Sequence, residues 1–119
     1  MRNLCHTVLS ANDDVSRTSS KIDANQLVSA SFHAFFSDTD AAGTVKIQAS
    51  NDPTVAGNIA ADFTPTNWID IPNATGTVTA GSAVLITIAQ LSYRWLRVIF
   101  TKSNAGTGTI TVNLNALGI

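Results

Sequence analysis

LSYRWLRVIFTKSNAGTGTITVNL, residues 91–114, alternates apolar and polar side chains on either side of a glycine-containing turn. Leu96, Val98 and Phe100 fall at every second position, and so do Ile110, Val112 and Leu114. In a strand, residues two apart share a face. Each arm therefore carries one apolar face that must be covered by something else. The segment between the arms, Lys102-Ser103-Asn104-Ala105-Gly106-Thr107-Gly108, is rich in the residues that build hairpin loops. The spacing predicts two long strands joined as a hairpin.

The same period runs upstream. Val28, Ala30, Phe32, Ala34 and Phe36 alternate with Ser29, Ser31, His33, Phe35 and Ser37. Val45, Ile47 and Ala49 alternate with Thr44, Lys46 and Gln48. The loop Asp38-Thr39-Asp40-Ala41-Ala42-Gly43 between them predicts a second hairpin. Residues 51–66 form the longest irregular stretch, of the kind that often makes contacts, with one helical turn expected over 58–63. Trp68-Ile69-Asp70-Ile71-Pro72 reads as a short strand stopped by proline. A turn at 73–76, a brief strand at 77–79 and another at 82–89 follow. The sum is about seven to nine short antiparallel strands. The predicted fold class is all-β, a β-sandwich of jelly-roll-like form.

Composition supports this and narrows function. A hydrophobic fraction of 45% in 119 residues is enough for one real core. All eight acids are Asp, a turn residue, and Glu, a helix former, is missing. Only 13% of residues are charged and the net charge is −1, so the basic face that DNA or RNA needs is not expected. No apolar run approaches the about 18 residues of a membrane span, and no secretory leader is read at the N-terminus. Residues 1–20 have weaker patterning. They are predicted to be an N-terminal arm or edge strand beside a domain spanning 21–119. Their role is expected to lie in assembly, so that removing them leaves a folded domain.

Three segments carry a family resemblance. They are Gly43-Thr44-Val45-Lys46-Ile47-Gln48-Ala49-Ser50-Asn51-Asp52, Trp68-Ile69-Asp70-Ile71, and Tyr93-Arg94-Trp95-Leu96-Arg97-Val98 with Gly106-Thr107-Gly108-Thr109. Their order resembles that in small structural proteins of tailed-phage virions, over residues 27–118. The last segment is also similar to a strand of discoidin-like, galactose-binding sandwiches. The phage resemblance implies a β-sandwich component of a virus particle. The role it implies first is a head decoration or cement protein on the outer surface of the capsid. Such a protein binds the major capsid protein or other virion proteins and forms homo-oligomers, trimers or dimers. A tail or fibre module that binds a host receptor or glycan is the alternative. Neither resemblance transfers any binding residue.

No enzyme is expected. Asp13-Asp14 and Asp38-Thr39-Asp40 sit in apparent turns, where Asp normally caps backbone and stays solvated. His6 adjoins Cys5, but strand neighbours point to opposite faces. Cys5 is alone and is expected to be a small buried residue. Asp38-Thr39-Asp40 and Ser50-Asn51-Asp52 offer oxygen atoms for calcium, yet turn capping explains them as well. His6 and His33 without partners do not make a zinc site. Gly106-Thr107-Gly108 precedes a strand, whereas phosphate cradles precede a helix. No catalytic residue, cofactor or metal is assigned. The candidate protein interface is Tyr93, Trp95, Arg97, His33 and Phe63, because exposed aromatics and arginine anchor interfaces. Trp95 reads equally well as packing in a second core face, and the same residue types can make a stacking platform for sugar or single-stranded nucleic acid.

Overall fold

A computed structural model of the chain describes residues 2–53 and 64–118. In chain order the strands are β1 (Arg2–Asn12), β2 (Arg17–Thr18), β3 (Ile22–Asp23), β4 (Leu27–Phe36), β5 (Ala42–Ser50), β6 (Ile69–Thr79), β7 (Val84–Ile88), β8 (Trp95–Asn104) and β9 (Thr109–Gly118). They form two packed sheets. One has four strands in the order β1-β9-β4-β7. The other has five, β2-β8-β5-β6 with β3 also on β8. Every pairing is antiparallel. The chain is therefore a β-sandwich.

The pairing is nested. β1 takes β9, β2 and β3 take β8, β4 takes β7, and β5 takes β6. It is as if one long ribbon, with its tip between β5 and β6, had been rolled so that successive rungs fall in alternate sheets. That is jelly-roll connectivity. It corrects both predicted hairpins. β8 and β9 lie in opposite sheets, and so do β4 and β5. The Gly-rich segment after β8 and the Asp-rich segment after β4 are crossovers between sheets. Alternation tells which residues share a face, but it carries no information on which strand lies alongside.

The apolar faces fall where the period places them. Phe32, Val45, Ile47, Leu96, Val98, Phe100, Ile110 and Val112 are wholly inaccessible to solvent. Phe36 meets Phe100 edge to face across the sheets, with centroids 5.7 Å apart at 72°. Such pairs add to area burial. Gly43 lets β5 approach β8 closely. A Cβ there would lie 2.5 Å from Phe100 Cε1 and 2.5 Å from the Thr101 carbonyl oxygen. Gly43→Ala is expected to lower unfolding free energy by about 1–3 kcal/mol through overpacking, read by urea denaturation. An unchanged midpoint would mean that the two strands separate freely.

One further expectation is corrected. Pro72 does not end its strand. β6 runs through it, and the register with β5 jumps from Lys46↔Thr75 to Gln48↔Asp70, so residues 71–74 bulge out. Asn73 takes the left-handed conformation there, at φ 64°. A bulge is where a strand tolerates a residue without an N–H. β1 is an edge strand, one of the two forms expected for residues 1–20. It pairs with β9 from Arg2↔Gly118 to Asn12↔Thr109, with one bulge between Thr7 and Leu9, and Leu9 enters the core. β2 lies on the other sheet, so residues 2–18 contribute to both layers. The expected helical turn at 58–63 lies outside the described residues.

Candidate functional site

The residues singled out from the sequence do not form one patch. Trp95, Arg97 and Tyr93 belong to the end of the five-stranded sheet, while His33 sits on the outer face of the four-stranded one. Phe63 lies outside the described residues. Of the two readings of Trp95, packing is the one the structure shows: it is 1% exposed and unavailable as an anchor. Its ring has the Arg94 guanidinium 4.1 Å and the Lys21 ammonium 5.2 Å from its centroid. Its indole N–H donates to the Asp52 carbonyl at 3.2 Å. Arg94 in turn pairs with Asp23. These are cation–π contacts on a ring that packs outside the inter-sheet core.

Asp52 closes the loop that follows β5. Its Oδ2 accepts from the backbone N–H groups of Thr66 and Asn67 at 2.8 and 2.9 Å, and its Oδ1 accepts from Asn67 Nδ2 at 2.9 Å. The Asn67 N–H, the Asn67 amide and the Thr66 N–H hold this carboxyl below the usual aspartate range. The capping reading of Ser50-Asn51-Asp52 thus has its donors in place.

Arg97 is half-buried and occupied. Its Nε donates to Gln48 Oε1 at 2.8 Å, and its guanidinium lies 4.4 Å from the Trp68 centroid. Gln48 Nε2 donates to Asp70 Oδ1 at 2.8 Å, and Lys46 Nζ lies 3.2 Å from the same carboxylate. The outer face of the five-stranded sheet therefore carries a connected row of charged and amide groups already satisfied by one another.

The four-stranded sheet is the opposite. Its register builds cross-strand rows on the outer face. Thr7, Asn113, His33 and Leu85 make one, and Cys5, Asn115, Ser31 and Thr87 the next. Ser10, Thr111 and Phe35 lie on one side of them, and Asn3, Leu117 and Ser29 on the other. None of these side chains is Asp, Glu, Lys or Arg. Thr7 Oγ1 donates to Asn113 Oδ1 at 2.8 Å, and Cys5 Sγ to Asn115 Oδ1 at 3.3 Å. His33 lies against Phe35, with ring centroids 5.2 Å apart, and Leu85 is 64% exposed. Cys5, Thr7, His33, Leu85, Asn113 and Asn115 line a shallow depression of about 590 Å³. Cys5 is thus exposed, contrary to the buried residue expected, because strand parity places it outside.

This face runs out to an open edge. β1 ends its sheet, and among the described residues no strand pairs with its other side. Between Asn3 and Asn12 it carries no charged residue and no proline. Edge strands usually hold such guards against pairing with another chain. Apart from His33, the face escaped the sequence reading. Its signal was the polar half of each alternation, Ser, Thr and Asn, which resembles any solvated surface until register assembles it. Comparison with protein-family models and with curated proteins finds no match.

Proposed function

We propose that the chain is a non-enzymatic structural protein of a phage particle, a decoration or cement protein that lies across capsid subunits on the outside of the head. The observation that carries this reading is the uncharged outer face of the four-stranded sheet, continuous with the open edge of β1. Charged groups brought into an interface must be desolvated, and interface centres are depleted in them. Ser, Thr and Asn form directional hydrogen bonds at a smaller desolvation cost. The edge of β1 offers backbone groups for strand addition to a capsid protein or a second copy of the chain, which gives a route to the expected oligomers. Repeated copies on a symmetric shell add avidity to each modest contact. The jelly roll recurs in viral capsid domains, an analogy of fold that raises the prior without assigning a role.

The depression beside His33 favours one second reading. Jelly rolls also serve as lectins, and asparagine amides flanking an apolar side chain suit a sugar. A fibre module that binds host glycan is that alternative. Co-sedimentation with purified heads separates the two. The expected result is a fixed ratio to the major capsid protein. Leu85→Lys with Asn113→Lys is expected to reduce it about tenfold or more, with the melting temperature unchanged. Binding to cell-surface polysaccharide with none to heads would reject the cement reading.

A further inference from the structure

Asp13 and Asp38 are 25 positions apart in sequence, yet they meet at one end of the sandwich, where three connections converge. Asp13 follows β1, Asp38 follows β4, and Gly106-Thr107-Gly108 lies between β8 and β9. Asp13 is wholly inaccessible to solvent. Both of its carboxylate oxygens, and Oδ1 of Asp38, are buried with no N–H or hydroxyl donor. Oδ2 of Asp38 accepts from the backbone N–H groups of Thr107 and Gly108, each at 2.8 Å. The Asp13 backbone N–H donates to the Gly108 carbonyl at 3.1 Å. Gly106 presses on both carboxyls. A Cβ there would lie 2.2 Å from Asp38 Oδ2 and 2.7 Å from Asp13 Oδ1 and Ala41 Cβ.

Two buried carboxylates in contact cannot both stay ionised without a neutralising partner. We infer that Asp13 is a neutral acid whose proton is shared with an ionised Asp38, and that this hydrogen bond latches the three connections together until the proton leaves. One proton supplies a partner to an oxygen on each residue and needs no added volume. The asymmetry follows from the backbone, since Asp38 Oδ2 accepts two N–H groups at 2.8 Å, whereas the Gly108 and Asp13 N–H groups only partly offset the burial of the Asp13 carboxyl. A divalent cation would need about six or more oxygens. Gly106 closes on the pair, and among the described residues no group of three His, Cys, Asp or Glu side chains is placed to hold a metal.

The electrostatics agree. Burial, then the hydrogen bond to Asp38 and its charge, push the Asp13 carboxyl above the usual range. Burial also pulls Asp38 upward, but the Gly108 N–H, the Asp13 carboxyl, the Thr107 N–H and Asp40 outweigh it and leave Asp38 low. The other titrating groups at this end are few. Asp14 is paired with Arg17 at 3.3 Å, and Asp40 lies near enough to Asp38 to act on its carboxyl. Residues 105–108 contain no titrating group, and the nearest before them in sequence is Lys102 on β8.

The sign is fixed by these directions. The Asp13 contribution to stability is full below the ordinary value of 3.8 and is lost as pH rises through its raised folded value. The Asp38 contribution is full above 3.8 and is lost as pH falls through its lowered value. The latch is therefore strongest in mild acid and opens as pH rises.

Thermal unfolding against pH tests it, on the wild type, Asp13→Asn and Asp38→Asn. The wild-type melting temperature is expected to fall by about 5 °C or more as pH rises through the Asp13 range. Asp13→Asn supplies a permanent N–H donor, so it should keep the acid-range value and flatten that limb. Asp38→Asn removes the anionic acceptor and should melt lower than the wild type in mild acid, where the latch is closed. Carboxyl 13C titration of the wild type should place the Asp13 midpoint above 3.8. A midpoint at or below that value, or equal losses in the two variants at every pH, overturns the latch. So does a rise in melting temperature with added calcium that EDTA reverses.

Discussion

Trp95→Ala is expected to remove about 3–5 kcal/mol of unfolding free energy, the usual range for truncating a buried large aromatic. A domain of this size has about 5–15 kcal/mol in all, so the variant should be marginal at room temperature. The reasons are local. The ring is 1% exposed and lies beneath Arg94 and Lys21, and its N–H holds the Asp52 carbonyl. Asp52 in turn closes the base of the following loop through Thr66 and Asn67. Losing the ring therefore loosens a chain of contacts as well as leaving a cavity. Trp95→Phe keeps most of the packing and loses the N–H, so it should cost about 1 kcal/mol. Urea unfolding reads both. A loss under about 1 kcal/mol for the alanine variant would return Trp95 to the surface and reopen its candidacy as an interface anchor.

Removing residues 1–12 is expected to abolish the folded state. β1 is the whole partner of one side of β9, paired from Arg2↔Gly118 to Asn12↔Thr109, and it brings Leu9 into the core. Its loss bares the edge of β9 and leaves the neighbouring apolar surface uncovered. The deficit should exceed about 5 kcal/mol, the low end of total stability for a small domain. A dispersed NMR spectrum from the shortened chain would contradict this. Such a spectrum, together with lost oligomers or lost shell binding, would restore the role in assembly first expected for these residues.

The sequence made strands and faces legible because both depend on neighbours two positions apart. Leu96, Val98, Phe100, Ile110, Val112 and Leu114 are inside, as their spacing required. Strand partners depend on distant segments, and the turn chemistry of Gly106-Thr107-Gly108 suits a crossover as well as a hairpin. Asp13 and Asp38 looked like ordinary turn formers for the same reason, since nothing within either segment points to the other. Trp95 was ambiguous because part of its cover, Lys21, comes from a distant segment with no apolar period, and nothing in the alternation shows that its neighbour Arg94 lies over the ring. The uncharged face was present in the sequence as three separate polar half-patterns. Only the register set Thr7, Asn113 and His33 side by side.

The nested pairing also sets an order in time. The rung that joins Cys5 to Asn115 closes a separation of 110 positions, whereas β5 and β6 meet first across a short span. Long-range pairing is slow because the intervening chain must be ordered before the contact is gained. During synthesis β1 leaves the ribosome before its mate β9, with seven described strands made between them. For that interval an unguarded, uncharged segment waits without a partner, and crowding among nascent chains on one message would favour mispairing there before anywhere else.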